Sequence, residues 1–516
     1  MALLKSIATV GGYTMMSRVL GFVRDILVAA ILGAGPVADA FFIAFKIPNL
    51  FRRLFAEGAF NAAFVPLFAG KLEADGQETA QNFANRAFSV LFWVLLGLLI
   101  VMELGMPWIM RGFAPGFLDD PAKFDMAVHF TRITFPYLLF ISLVSLMGGV
   151  LNSLGKFAAA AATPILLNLC LIAAILVAAP HLPSPGHALS WGVFAAGIVQ
   201  FFWLAWNCKT NGMLPRLGLP KQGEDIKVLV KRIIPGAIGA GIYQVNLVVD
   251  MMIASLLPTG SISYLFFADR VTQLPLGVVG VAVGTALLPL LSRQLRAGDE
   301  AAAMASQNRA LEFTLLLTVP AAVAFAVIPE PIISVLFERN EFTAAASSAT
   351  AAALMVYAFG LPAYVLNKGL TPGFFARGDT KTPMVIAAIC MIVNIVFNLL
   401  LMGPYLHVGL AMATVISAWT NTLLLATVLR QRGQLQKDER LQSRIPRILL
   451  SAALMGGLLW GLKIVLTPWI EGDEIWRIAA LVLLVASGLV SYFVLAHVSG
   501  AARLSDIKGM LRKKAS

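Results

Sequence analysis

Between Arg18 and Arg53 an apolar stretch carries Arg18, Arg24, Asp25, Asp39, Lys46, Arg52 and Arg53. One charge at the centre of a membrane helix costs roughly 2.5–3.5 kcal/mol on insertion scales, so a cluster of this size cannot face lipid. These side chains must face protein or a water-filled cavity. Cations outnumber acids among them, and a cationic cavity suits an anionic cargo. Asp39, Lys46 and Arg53 recur at a heptad spacing that stacks them on one face of an unbroken helix. Pro48 is expected to kink that helix and free backbone groups for hydration. Planar guanidinium groups match phosphate bidentately, so a pyrophosphate-type headgroup is the natural ligand. The competing reading is internal ion pairing that packs helices together, with Arg53 and Glu57 neutralising each other at i,i+4.

Asp269-Arg270 adds a second charged point in the other half of the chain, where facing halves would bring Arg270 toward Arg18, Arg24 and Arg52. The alternative is that Asp269 pairs with its own neighbour. Gly277, Gly280 and Gly284 nearby, at helical spacing, read as close-packing positions or hinges. A separate set, Asp250, Asn394, Asn398 and Thr414, offers hard oxygen ligands suited to Na+. Interhelical hydrogen bonds would use the same groups. Catalysis finds no support: the five His residues lack metal-ligand spacing, and there is no phosphate-cradling Gly loop or nucleophile elbow. Asp119-Asp120, beside Pro121, read as a turn. With no nucleotide-binding module, transport must run on gradients, membrane potential or substrate supply.

The elements that must position these groups follow from composition. Hydrophobic residues make up 59% of the chain and charged ones 13%, which places it among all-α polytopic membrane proteins. Arg18 and Arg24 interrupt what would be the apolar region of a cleavable signal. Cys170, Cys208 and Cys390 lie far apart in apolar segments and read as packing residues. Apolar runs of spanning length predict about fourteen transmembrane helices, near 6–32, 38–70, 82–105, 127–153, 158–180, 187–208, 227–257, 261–293, 305–328, 345–372, 383–403, 407–430, 445–467 and 475–498. Lys and Arg concentrate in loops after even-numbered helices, for example Lys71, Lys156, Lys209, Lys221, Arg293, Arg377, Arg432 and Lys437. One odd loop is acidic, with Glu471, Asp473 and Glu474. By the positive-inside rule the even loops and both termini are cytoplasmic, and the basic balance marks topology rather than nucleic-acid binding. The tail, with Arg503, Lys508, Arg512, Lys513 and Lys514, suits anionic headgroups.

The chain also repeats itself at a spacing of about 223–226 residues. Phe64-Val65-Pro66-Leu67 echoes Leu287-Leu288-Pro289-Leu290, and Asn85-Arg86-Ala87 returns as Asn308-Arg309-Ala310. Pro107-Trp108-Ile109 matches Pro331-Ile332-Ile333, and Gly155 and Thr163-Pro164 match Gly378 and Thr382-Pro383. Six helices separate matching points, so the halves insert in the same orientation. The predicted organisation is an amino-terminal lobe over 1–222 and a second lobe over 223–432. A linker, two further helices and the basic tail follow over 433–516.

Ser17-Arg18-Val19-Leu20-Gly21-Phe22-Val23-Arg24-Asp25, Ala38-Asp39-Ala40-Phe41-Phe42, Pro48-Asn49-Leu50-Phe51-Arg52-Arg53, Phe55-Ala56-Glu57-Gly58-Ala59-Phe60 and Ala268-Asp269-Arg270 resemble the MurJ (MviN) family. That family belongs to the multidrug/oligosaccharidyl-lipid/polysaccharide exporter superfamily, and the resemblance covers nearly the whole chain. It implies a flippase that moves lipid II, the undecaprenyl-pyrophosphate-linked peptidoglycan precursor, to the outer leaflet of a bacterial cytoplasmic membrane by alternating access. It implies two six-helix lobes in a V, with helices 13 and 14 forming a groove for the lipid tail. The family's functional positions fall on Arg18, Arg24, Asp39, Arg52, Asp269 and Arg270, with Ser263 nearby. A family sodium site falls on Asp250, Asn394 and Thr414, with Leu410 offering a backbone carbonyl. Asn398 stands where a sodium-binding member has an acid. Gln273 stands where some members have an acid, which argues against proton coupling there. Lipid II, membrane lipids and the cell-wall synthesis machinery are the expected partners of a monomer. The rivals are an exporter of another polyprenyl-pyrophosphate-linked oligosaccharide, a drug or cation antiporter of the same superfamily, which would favour an acidic cavity, and a membrane scaffold or transferase.

Overall fold

The computed structural model describes residues 2–53, 59–220 and 223–502, and every regular element among them is helical. Glu57 and the rest of 54–58, Lys221, and the basic tail from Arg503 lie outside the described residues. By contact the chain divides into two compact units, Met1–Ser263 with Arg339–Phe342, and Tyr264–Glu338 with Thr343–Ser516.

The first unit contains α1 (Ala2–Leu32), α2 (Pro36–Arg52), α3 (Ala59–Ala74), α4 (Gly76–Phe113), α5 (Pro121–Thr134), α6 (Tyr137–Ser153), α7 (Phe157–Ala173), α8 (Pro185–Thr210) and α9 (Glu224–Ser255). Local chemistry explains the breaks. Gly33 ends α1 at φ +66, and a Cβ there would fall 2.6 Å from the Glu341 carbonyl, so only glycine fits the turn. Pro36 opens α2 and Pro185 opens α8, each at a first-turn position where its missing N–H is harmless. The Phe135-Pro136 step separates α5 from α6. The helix continues past Pro48 to Arg52. Pro48 leaves the Ala44 carbonyl without its intrahelical donor, and the Thr134 hydroxyl on α5 supplies one at 3.0 Å. Thr163 does the same within α7, donating to the Ala160 carbonyl that Pro164 cannot reach (2.8 Å).

The second unit is built from α10 (Ser261–Arg296, whose first residues belong to the first unit), α11 (Glu300–Val327), α12 (Pro329–Phe337), α13 (Ala344–Phe375), α14 (Lys381–Gln431), α15 (Glu439–Val465), α16 (Thr467–Ile470) and α17 (Glu474–Val498). At 51 residues, α14 would run about 76 Å as a straight helix, far beyond the ~30 Å of a bilayer core. It breaks instead at Leu406 (φ 50, ψ −130), two residues after Pro404. The break separates two spans close to those expected at 383–403 and 407–430. Val279, Val283, Leu287 and Leu291 repeat along one face of α10 and pack on Ala303 and Val365 to form a core of this unit.

Among the described residues nine helical stretches are long and apolar enough to cross a membrane. Helices α1, α9 and α10 have the length too, but carry Arg18, Arg24 and Asp25, then Asp250, then Asp269 and Arg270. The sequence repeat has a structural counterpart. Near the start of α4, Asn85 accepts from the Arg216 N–H at 2.7 Å, and Arg86 faces Asp225 at 3.9 Å. Near the start of α11, Asn308 donates to the Gln436 carbonyl at 2.7 Å, and Arg309 pairs with Asp438. Each Asn-Arg pair thus grips a segment more than a hundred residues further along the chain.

Candidate functional site

Within the first unit, the charged residues of α1 and α2 separate into enclosed and open groups. Arg24 and Asp25 are buried. Arg24 donates to Asp25 through Nε and Nη2 at 3.0 and 2.6 Å, and through Nη1 to Asn168 Oδ1 on α7 at 3.0 Å. Asn168 is held in turn by donating to the Ser17 carbonyl at 2.9 Å. The guanidinium edge is therefore spent on helix packing, as the ion-pairing reading expects for this residue. Arg18, Lys46 and Arg53 are exposed, and Arg52 is half-buried with its Nε donating to Asn49 Oδ1 at 3.1 Å. Glu57, the expected partner of Arg53, lies outside the described residues.

Asp39 sits in the first turn of α2 and is 1% exposed. Lys123 on α5 donates to it at 3.0 Å, the N–H groups of Gly260 and Ser263 at 2.8 and 3.1 Å, and the Ser263 hydroxyl at 2.7 Å. Lys123 also reaches Thr259 Oγ1 at 3.3 Å and stands 4.3 Å from the centre of the Phe117 ring. A buried ion pair this well hydrogen-bonded can persist where an isolated charge could not. The structure thus unites Asp39 with Ser263, and adds Lys123. That lysine carries almost no sequence signal: it follows Asp119-Asp120-Pro121 and looks like a solvated loop cation. Asp120 in fact caps α5, accepting from the Lys123 N–H at 3.1 Å.

In the second unit, Asp269 is exposed and accepts from Gln273 one turn on, at 2.5 Å. Arg270 lies over the Phe266 ring at 4.7 Å. The expected cation ligands fall in both units. Asp250 on α9 accepts from Asn246 at 3.1 Å. Asn394 and Asn398 are both buried on α14 and bonded to each other at 3.1 Å, while the Thr414 hydroxyl donates to the Leu410 carbonyl at 2.9 Å. No group of three or more His, Cys, Asp or Glu among the described residues is arranged to hold a metal ion. Two cavities of about 410 Å³ are lined by none of these residues, one by Asp125, His129, Arg132 and His187 among others, the other by Lys71, Asp75, Asp225 and Arg232 among others.

One polar centre has no counterpart among the sequence expectations. Glu312 on α11 is buried and accepts from Arg440 at 3.1 and 3.2 Å, and from Arg309 and Arg444. Arg309 also binds Asp438. The charged start of the 433–516 region, read from sequence as a linker, is thereby fastened to α11 through Asp438, Arg440 and Arg444.

The chain matches known proteins over most of its length. The family model described as lipid II flippase MurJ matches residues 28–480. A probable lipid II flippase MurJ of Rhizobium meliloti (strain 1021) is 46% identical over 528 residues, covering 100% of this chain and 97% of its own. The lipid II flippase MurJ of Burkholderia cenocepacia is 36% identical over 463 residues, covering 89% of this chain and 90% of its own. Among solved structures, a lipid II flippase MurJ in an inward closed conformation superposes with a TM-score of 0.80 at 26% identity, over 95% of this chain and 98% of its own. An inward-facing multidrug resistance MATE transporter of the MOP superfamily gives 0.68 at 13% identity, over 82% and 97%, a likeness of fold alone.

Proposed function

The chain belongs to the MurJ family of lipid II flippases, and we infer from that membership that it flips lipid II from the inner to the outer leaflet of the bacterial cytoplasmic membrane, supplying peptidoglycan synthesis. The full-length match to curated relatives carries this reading, because it spans both repeats and the two final helices rather than one motif. The protein is a multi-pass membrane transporter, not a catalyst.

The pyrophosphate of the cargo would be handled by Arg18, Arg24, Arg52, Arg53 and Arg270, with Asp39, Ser263 and Asp269 setting the position of neighbouring groups. Arg18 is exposed, which leaves it open to a ligand. Arg24 would have to exchange its present bonds to Asp25 and Asn168 for the ligand. Access to one leaflet and then the other would follow from rocking of an amino-terminal lobe (1–222) against a second lobe (223–432), with the last two helices guiding the lipid tail. Both termini would be cytoplasmic, and an interior-negative potential would drive the anionic cargo outward at about 2.3 kcal/mol per charge per 100 mV. Na+ would be held by Asp250, Asn394, Asn398, Leu410 and Thr414. Their carboxylate, amide, carbonyl and hydroxyl oxygens suit a hard cation, although several already accept hydrogen bonds. A monomer that meets the cell-wall synthesis machinery is the simplest assembly.

Depletion in the native bacterium, followed by a leaflet-specific assay for lipid II, tests the assignment. Lipid II should remain on the inner face, and replacement of Arg18 or Arg270 by Gln should fail to restore flipping while the protein still accumulates. Continued delivery of lipid II to the outer face during depletion would refute it.

A further inference from the structure

Along α5, Asp125, His129 and Arg132 stand at i, i+4 and i+7, within about 60° of one helix face, and all three are exposed. With His187 of α8 they line one of the two cavities of about 410 Å³, a volume ordinary for a small-ligand site. The two imidazole rings have their centres 5.3 Å apart. Ser184 caps α8, accepting from the His187 N–H at 3.4 Å, and its hydroxyl lies 2.8 Å from His187 Nδ1. Its proton thus goes to Nδ1, which leaves Nε2–H as a donor. Arg132 makes no hydrogen bond or ion pair among the described residues, and Glu103 on α4 acts on its charge only through space. The order of charge along α5 is specific. Helices α5 and α6 make one candidate span, Pro121–Ser153, so the first turn of α5 lies at the membrane surface. Arg132 is then about 10 Å deeper than Asp125, and its long stem reaches up toward the headgroup level. A cation beneath an acid is the complement of a zwitterionic phospholipid, whose phosphodiester lies beneath its terminal ammonium. Trp191, one turn after His187 and 49% exposed, supplies the amphipathic ring common at that depth.

We propose that this cavity binds the headgroup of an aminophospholipid, with Arg132, His129 and His187 on the phosphate oxygens and Asp125 on the ammonium. With the basic loops inside, the leaflet concerned is the outer one. The ligand is a bulk membrane lipid and not the cargo, whose diphosphate has no adjacent ammonium to meet Asp125. The proposal therefore needs the chain to span a membrane and is independent of the lipid II reading. An anionic headgroup without an ammonium would meet Asp125 as a like charge, so the acid supplies selectivity and the guanidinium supplies the hold on phosphate.

The full-length protein, delipidated in detergent and titrated with phosphatidylethanolamine or phosphatidylglycerol under native mass spectrometry, tests this. Phosphatidylethanolamine should bind about tenfold more tightly than phosphatidylglycerol. Arg132→Gln should weaken its binding by about tenfold, and Arg132→Lys by less. Asp125→Asn should erase the preference, weakening phosphatidylethanolamine while leaving phosphatidylglycerol unchanged or tighter. Equal affinity of the wild type for the two lipids, or a preference that survives in Asp125→Asn, would overturn the site. So would unchanged binding by Arg132→Gln at an unchanged melting temperature. If Arg132→Gln does not accumulate, the selectivity of Asp125→Asn, altered at an exposed position, still decides the matter. Inorganic phosphate that displaces phosphatidylethanolamine at equal concentration would show a free-phosphate site and overturn the headgroup assignment.

Discussion

Asp39 accepts four donors, and only one of them carries charge. Removing Lys123 leaves a carboxylate buried without its counter-ion, which costs on the order of 3–5 kcal/mol in comparable pairs. Asp39→Asn leaves the reverse problem, an ammonium 4% exposed with a hydroxyl and an aromatic face for company. We therefore expect each single variant, Lys123→Met and Asp39→Asn, to lower the unfolding midpoint in detergent. The double variant should lose less than the sum by more than about 1 kcal/mol. Additivity within about 0.5 kcal/mol would show that the pair holds nothing together. Sequence reasoning found Asp39, because an acid among apolar residues is conspicuous, but not Lys123, which lies 84 positions away. Arg24 was legible for the same reason as Asp39. Its partner Asn168 was not, since a lone amide in an apolar run announces nothing until the fold brings α7 beside α1.

Helix ends in this protein are set by small polar clamps whose strength should depend on pH. At the start of α14, Asp379 accepts from the Thr382 N–H at 2.9 Å, from the Thr382 hydroxyl at 2.6 Å and from Arg432 at 2.6 Å. The Arg432 hydrogen bond first, then those from Thr382, hold the Asp379 carboxyl well below the usual carboxylate range. A depressed folded-state pKa contributes stability that is complete above the unfolded value of about 4 and is lost as pH falls through the folded one. The difference in melting temperature between wild type and Asp379→Asn should accordingly be constant from neutral pH down to about 5, then close progressively below pH 4. A difference that widens on acidification would contradict the clamp. Asp379 is only partly buried, so the effect should also shrink in high salt. At this scale the sequence was informative. The spans near 187–208, 261–293 and 475–498 lie within α8, α10 and α17 to within a few residues at each end. Hydropathy marks spans well but not breaks, so the Phe135-Pro136 step went unseen inside a single apolar run. The repeat was visible in Asn85-Arg86 and Asn308-Arg309. What those pairs do was not, because the chain they grip is more than a hundred residues further on.

Orientation in the membrane ties the whole molecule to its energetics. The acidic loop between α16 and α17 and the basic segment before α15 should lie on opposite sides, the first outside and the second inside. Cys170 is half-buried and Cys208 and Cys390 are buried, so replacing all three leaves a background for single-cysteine labelling. A cysteine at the exposed Asp473 should react with an impermeant maleimide added to intact spheroplasts. One at the exposed Lys437 should react only after permeabilisation. The outcome decides more than topology. With the basic loops inside, an anionic headgroup moving outward follows the interior-negative potential, and two transferred charges gain roughly 4–5 kcal/mol per 100 mV. In the proposed cycle the emptied cationic site would be drawn back inward by the same field, so one potential would drive both the loaded step and the return. Labelling of the Lys437 position from outside would reverse the sign of both terms. The potential would then oppose delivery to the outer leaflet, and the cationic residues of α1, α2 and α10 would need a different source of drive.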